Sequence, residues 1–346
     1  MSLLSCPLPF TVDDFIVLGH GSGGRLSARL MEEVFLPAFR NPALERMDDQ
    51  AVFDVPAGRL AMSTDTYVVK PLFFPGGNIG ELAVYGTVND LAVGGAVPKY
   101  LSAGFILEEG LPLETLRQIV TSMAQAANRC GVEIITGDTK VVEKGSGDGV
   151  FINTAGIGFV PDGVTYSASK VRAGDSIVLN GSLGEHGITI LSQREGLELG
   201  GDLRSDAAPL HELCAAVMAA APSLHAMRDL TRGGLSSALN EIARSAHVGI
   251  EIDERSIPLR DEVRGACEIF GLDPLYVANE GKMIAFVPEE AAEAAVAAMR
   301  NHEFGRDARI IGTVTSRHPR MVTMRTSLGT ERIVDMLAQD QLPRIC

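Results

Sequence analysis

Apolar residues along the chain recur at two spacings, every third or fourth position and every second, and the switches between these periods outline its elements. Residues 113–130, LETLRQIVTSMAQAANRC, carry a helical stripe that Gly131 is placed to close. VEIITGD at 132–138 and GVFINTAGIGFV at 149–160 read as strands, as does YLSAGFIL at 100–107 after the helical segment 81–96. Nearer the start, the apolar FIVLG of 15–19 runs into the glycine loop GHGSGGR and an amphipathic pattern over 26–39, a helix predicted to stop near Pro37. AVFDV (51–55) and RLAMSTDTYVV (59–69), joined by PAG, predict a hairpin.

Beyond residue 165 strand and helix patterns alternate. The order is strand 174–180, helix 184–191, helix 211–224, helix 235–246, strand 248–252, helix 261–270, strand 282–287, helix 289–301 and strand 308–314. The pattern weakens after about 325, where Ile333, Val334, Met336 and Leu337 support at most a turn or two of helix before a polar end. An α+β chain of two α/β domains follows: residues 1–165, residues 166–322, and a flexible tail over 323–346. A length of 346 residues exceeds one ordinary core, which agrees with that division.

The formal net charge of -14 repels a nucleic-acid backbone, so a protein like this that binds phosphates needs metal cations to do so. The opening MSLLSCPLPFTVDDF has no basic segment leading into a long apolar one, and CAAVMAAAP is too short to cross a bilayer; the expectation is a cytoplasmic protein without membrane contact. Five widely spaced cysteines without C-x-x-C argue against both a disulfide framework and a zinc knuckle. Four of them read as small apolar fillers, and the fifth, Cys346, is the last residue. Prenylation does not fit it, because C-a-a-X places the cysteine four residues from the end.

Candidate chemistry gathers at glycine-rich turns. Gly19-His20-Gly21-Ser22-Gly23-Gly24 satisfies G-x-G-x-x-G, but a hairpin follows where a dinucleotide fold needs a second parallel strand. The loop reads either as a flexible connection or as a phosphate cover whose amides, with Arg25, meet an anion. Acids recur at strand ends and turns: Asp48 and Asp49, Asp65, Asp90, Asp138 and Asp229. Each alone suits a cap or turn; together, with no Walker loop in the chain, they suit Mg²⁺ shared with nucleotide phosphates. Thr231-Arg232-Gly233-Gly234 opens a helix, either as an ordinary start or as a second phosphate contact. Glu280 is a candidate base or a solvated turn residue, and His186, in GEHG, is as readily structural.

GHGSGGR, DDQAV, STD, GTVNDLAVGGA, GDTKVV, GEHGI, RDLTRGG and NEGK together resemble the ATP-binding family that includes aminoimidazole ribonucleotide synthetase and selenophosphate synthetase, over nearly the whole chain. The terminal PRIC resembles the branch of that family that matures [NiFe]-hydrogenases. The resemblance implies that a HypF-like carbamoyltransferase loads Cys346, that ATP then dehydrates the thiocarboxamide to a thiocyanate, and that the cyanide passes to iron on a HypC–HypD-like scaffold. It also implies a homodimer formed by strands of the N-terminal domains.

On this reading Asp48, Asp65, Asp90, Asp138 and Asp229 serve Mg²⁺ and phosphates. Gly21, Gly23, Gly24, Arg25, Ala51, Thr64, Asn89, Thr139, Arg232 and Gly233 contact ATP. Glu280 is the base for the amide nitrogen, and Lys140 stabilises charge developing on oxygen. Two alternatives stay open, a synthetase of the same fold acting on a free small molecule and a nucleotide-gated adaptor. Deleting Cys346 separates the first from the leading reading; phosphate release that requires a carbamoylated tail separates the second.

Overall fold

The computed structural model describes residues 13–47, 50–197, 201–336 and 345–346. Near the start, α1 (Arg25–Leu30) passes through a π-helical turn, Met31–Phe35, into α2 (Leu36–Phe39). The helix therefore outruns the predicted stop at Pro37. Proline has no N–H for the Glu33 carbonyl, and Arg117 supplies the donor instead, Nη1 to oxygen at 2.9 Å.

The rest of the first domain runs β1 (Arg59–Tyr67), a small ribbon of β2 (Phe73–Phe74) and β3 (Gly77–Asn78), α3 (Ile79–Val93), β4 (Val97–Glu108), α4 (Leu113–Cys130), β5 (Glu133–Val142) and β6 (Val150–Val160). Its sheet has the order β1-β6-β4-β5, with only β4 and β5 parallel. The predicted hairpin does not form. Residues 51–56 make no strand and β1 pairs with β6 alone: Val52 and Val55 stay exposed, as do Leu60 and Met62 on β1, and Phe53 packs on the Tyr100 ring at 4.4 Å instead of pairing beside β1. Gly131 closes α4 as predicted, in the left-handed region at φ 64°.

Helix α3 is apolar nearly all round and buried nearly all round, as such a helix must be. Asn78 caps it by accepting from the Gly80 and Glu81 amides. One side lies on β1 and β6, and another meets the second domain.

The second domain runs β7 (Asp175–Leu179), α5 (Glu185–Glu195), α6 (His211–Ala220), β8 (Ala226–Asp229), α7 (Gly234–Ala246), β9 (Gly249–Asp253), α8 (Asp261–Phe270), β10 (Met283–Pro288), α9 (Ala292–Arg300), β11 (Arg309–Thr315), β12 (Val322–Arg325) and β13 (Glu331–Ile333). Its sheet order is β13-β12-β9-β11-β7-β10-β8. Strand β7 is buried at every position, with Ile177 and Leu179 packed in one apolar cluster and Val178 in the other. The helical turns expected near Ile333 are instead strand β13, which pairs with β12 across a turn at Gly329 (φ 82°). Val334 then donates to the Val322 carbonyl, so the folded domain continues beyond residue 322. Leu337, the rest of the expected helical stretch, lies outside the described residues.

The first domain's apolar cluster takes in Ile188 and Ile190 of α5, Val263 and Ala266 of α8, and Ile345. The last two residues thus sit at the seam between the domains. Among the described residues, no helix is long and apolar enough to cross a membrane.

Candidate active site

Strand alternation on β1 fixes which side chains meet α3. Ser63 donates to Asp90 Oδ2 at 2.7 Å, and Tyr67 lies against Gly86, where an added Cβ would fall 2.1 Å from its hydroxyl oxygen. Asp65, between them in alternation, faces the same side. From the second domain, β8 ends at Asp229 and a turn of two left-handed glycines, Gly233 (φ 76°) and Gly234 (φ 58°), starts α7. A Cβ on Gly234 would fall 2.6 Å from the Leu275 and Val277 carbonyls, so the turn accepts only glycine. Ser63, Asp65, Asp90, Asp229, Thr231 and Arg232 line a cleft of about 640 Å³, within the range of small-ligand sites.

Glu280 stands behind these acids, 4% exposed. Its backbone N–H donates to Asp206 Oδ1 at 3.1 Å, while its own Oε1 is buried without a hydrogen-bond partner among the described residues. Asn279 anchors the segment by accepting from Gly184 N and donating to the Leu230 and Val277 carbonyls. Behind Glu280, Lys282 is clamped between Glu185 (3.1 Å) and Asp206 (3.0 Å).

Asp229, Glu280 and Asp90 all hold their protons more tightly than exposed carboxyls. Burial, and then the charge of Asp90, push Asp229 up to about 7. Burial followed by Asp206, Asp229 and Asp65 pushes Glu280 well above the usual glutamate value. Asp90 is raised too, by burial first, against the opposing Ser63 hydrogen bond.

The chain end closes the seam. The Ile345 carbonyl lies 2.7 Å from His186 Nε2, and Val68 N–H, next after β1, donates to the Cys346 carbonyl at 3.1 Å. Ile345 is 3% exposed and Cys346 half-buried.

Not every expected residue joins this group. Asp138 lies in one row with Gly104, Asn153 and Thr66 across the sheet, three interstrand steps or about 14 Å from β1. Asn153 donates to the Thr64 and Thr66 hydroxyls on that face, which is the face opposite Asp65. Lys140, two residues on, pairs there with Asp138 at 2.7 Å, and Thr139 donates its amide to Asp138. The glycine loop packs beside them, for a Cβ on Gly21 would fall 2.5 Å from Val141 N. Gly23 and Gly24 next to it are exposed, and Arg25 begins α1.

Within one chain, then, the expected site divides between two faces of one sheet. Asn89 serves neither face: it donates to the Ala208 carbonyl and accepts from Leu210 N, tying α3 to the second domain. Ala51 is half-buried outside any strand or helix, and Asp48 lies outside the described residues.

The sequence reading gave no role to Ser63, Asp206 or Lys282. Alternation along STDTY places Ser63 beside Asp65, but nothing local marks Asp206. Among the described residues no three His, Cys, Asp or Glu groups are close enough to hold a metal ion by themselves. That suits Mg²⁺, which keeps several waters and takes one or two carboxylates along with substrate phosphates. Asp65, Asp90 and Asp229, which line the cleft together, have the donor chemistry for such a shared ion.

Two domain families match the chain: AIR synthase related protein, N-terminal domain, over residues 47–160, and AIR synthase related protein, C-terminal domain, over 172–323. The carbamoyl dehydratase HypE of Azotobacter vinelandii is 57% identical over 94% of this chain and 96% of its own length. A crystal structure of the hydrogenase maturation protein HypE in complex with ATP superposes with a TM-score of 0.93 at 49% identity, covering 95% of this chain and 99% of that one. The HypE chain of a HypE–HypF complex gives 0.78 at 46%, over 89% and 99%. On this likeness, which spans both domains, the chain belongs to the HypE family of carbamoyl dehydratases, the hydrogenase-maturation members of the AIR synthase-related proteins.

Proposed function

We propose that the protein uses ATP to turn a carbamoyl group carried on the Cys346 sulfur into a thiocyanate, the source of the cyanide on hydrogenase iron. The observation that carries this reading is the seat of the last two residues at the seam, held by His186 from one domain and Val68 from the other. The relative solved with ATP and the relative solved with HypF support the nucleotide and the carbamoyl donor.

An amide oxygen is a poor leaving group, and phosphorylation changes that. The carbonyl oxygen of the thiocarboxamide attacks the terminal phosphorus of ATP, the bond to ADP breaks, and one proton leaves nitrogen. The O-phosphoryl imidate then loses its second N–H proton as the C–O bond breaks, giving S–C≡N and phosphate. Mg²⁺ held by Asp65, Asp90 and Asp229 would supply the charge neutralisation that phosphoryl transfer needs. Glu280 accepts a proton from nitrogen: its Oε1 has no hydrogen-bond partner among the described residues, and its raised pKa makes the carboxylate a stronger base than an exposed glutamate. Arg232, at the cleft rim, faces the developing charge.

Lys140, Asp138 and Thr64 face the other side of the sheet, whereas Thr139 alternates with its two neighbours and the Gly21–Arg25 loop meets Val141 at β5, the edge strand. A homodimer through the N-terminal sheets, whose first strand exposes Leu60 and Met62, is the arrangement in which one copy's outer face meets the other's cleft. Delivery of cyanide to a HypC–HypD-like scaffold in the cytoplasm completes the reading.

Intact-mass measurement tests it. Incubation with the carbamoyl donor system adds one carbamoyl to the chain, ATP removes one water, and Cys346→Ser abolishes both steps. A carbamoylated chain that keeps its mass with ATP refutes the reaction. Glu280→Gln retains ATP binding and slows dehydration; unchanged turnover removes Glu280 from its role.

A further inference from the structure

We propose that His186 is a positioning residue for the terminal cysteine: its Nε2–H, fixed in that tautomer by Ser205, grips the Ile345 carbonyl and sets how far the Cys346 sulfur reaches into the seam. The inference rests on the reading of Cys346 as the carrier and adds the group that seats it.

The Ile345 carbonyl can only accept, so the ring nitrogen 2.7 Å from it carries the proton. Burial, the leading influence on the ring, lowers the His186 pKa and favours the neutral form. Nδ1 is then an acceptor, and the Ser205 hydroxyl, 2.7 Å away, donates to it. Ser205 Oγ in turn accepts from Ala207 N–H at 3.1 Å. Three hydrogen bonds thus run in one direction, from a backbone amide through serine and imidazole to the chain end, each polarising the next. The wholly buried ring also meets the edge or face of Phe74 at 5.6 Å and 83°, which fixes its plane.

The other hold on the chain end comes from the first domain, where Val68 N–H meets the Cys346 carbonyl at 3.1 Å. Two successive carbonyls are therefore each read by one donor, one per domain. A slip of one residue would move the sulfur by about 3.8 Å, the spacing of consecutive Cα atoms. His186 reads main chain, which every residue offers.

The test uses the full chain, with Cys346 either unmodified or carbamoylated by the donor carbamoyltransferase. In His186→Ala, alkylation of unmodified Cys346 by iodoacetamide, read on the C-terminal peptide by mass spectrometry, accelerates about fivefold, the equivalent of one hydrogen bond. Single-turnover dehydration slows by at least that factor, while ATP affinity stays within about twofold. His186→Gln, which retains a side-chain N–H donor, recovers at least half of both effects, and Ser205→Ala shifts both in the same direction as His186→Ala. Wild-type rates in His186→Ala and Ser205→Ala overturn the proposal, and so does a His186→Gln chain no better than His186→Ala. If His186→Ala does not fold, Ser205→Ala decides alone, a wild-type alkylation rate being the overturning result. A wild-type carbamoylated chain inert to ATP refutes the proposed reaction, whereas the alkylation contrast decides the role of His186 independently.

Discussion

Truncating Ile345 to alanine isolates the apolar half of the hold on the chain end. The side chain is 3% exposed inside the cluster that joins α3, α5 and α8, and alanine lacks three of its carbons. At about 0.8 kcal/mol per buried methylene, the docked chain end loses about 2.4 kcal/mol, a shift of roughly fiftyfold in its docking equilibrium. The loss falls on docking and not on the global fold, because the end of the chain can leave the seam without unfolding either domain.

The assay is thiol labelling resolved by peptide mass. Cys130, Cys214 and Cys267 are buried, and burial pushes the thiols of Cys130 and Cys267 up to about 12 and about 11, so they label slowly. Cys346 in Ile345→Ala labels up to about fifty times faster than in the wild type, single-turnover dehydration falls only as far as the docked fraction falls, and the melting temperature stays within a degree or two. Unchanged labelling, or a several-degree fall in melting temperature without faster labelling, refutes the reasoning.

Replacing Lys282 by methionine leaves Asp206 charged and buried without its ion-pair partner, while Glu185 keeps Arg260 at 3.4 Å; urea unfolding should show a loss of about 3–5 kcal/mol. Burial works against the Lys282 charge, but Asp206 and Glu185 outweigh it and raise its pKa, so its stabilisation is full below the ordinary lysine value and fades as pH climbs through the raised one. Burial likewise works against the Asp206 charge, yet the Lys282 ammonium holds its pKa below the usual value; that contribution is present above the ordinary aspartate value and is lost as pH falls through the lowered one. Gly86→Ala drives a methyl to 2.1 Å from the Tyr67 hydroxyl; calorimetry should show about 1–3 kcal/mol lost, with slower dehydration as β1 shifts. Asn89→Ala strands the Leu210 amide and the Ala208 carbonyl, about 1–3 kcal/mol each, read by urea unfolding at an unchanged slope.

Helix α4 and strands β4 to β6 were legible in the sequence because their apolar periods are long and α4 ends on Gly131, while α3 showed only as a mainly apolar helical segment whose cap, Asn78, went unread. Residues 51–55 misled for the opposite reason: five residues show too short an alternation, and here Val52 and Val55 stay exposed while Phe53 packs on Tyr100 of β4 instead of pairing beside β1. Strand β13 looked like helix because three residues cannot display a period, while the turn at Gly329 that pairs it with β12 outweighs local preference.

The acids were found as a set, but their sides were not. Whether Asp138 shares a face with Asp65 depends on strand order and register across three partners, and no local pattern carries that information. Asn89 and Asp90 are adjacent, yet about 100° apart around α3, which sends one into the domain seam and the other into the cleft. His186 read as a residue at a helix start, because its partner lies 159 positions away.

The cleft and the chain end draw on the same two domains. Asp65 and Asp90 come from the first and Asp229 and Glu280 from the second, while the chain end is held by Val68 on one side and His186 on the other. Docking of Ile345 and Cys346 therefore favours the domain arrangement that brings the four acids together, and a nucleotide bridging those acids favours it as well. Two ligands that favour one arrangement must assist each other by the same factor. If ATP protects the C-terminal peptide from protease tenfold, removing Ile345 and Cys346 weakens ATP binding tenfold, as measured by calorimetry. Protection without loss of affinity, or loss without protection, would break the linkage and leave the chain end seated independently of the nucleotide.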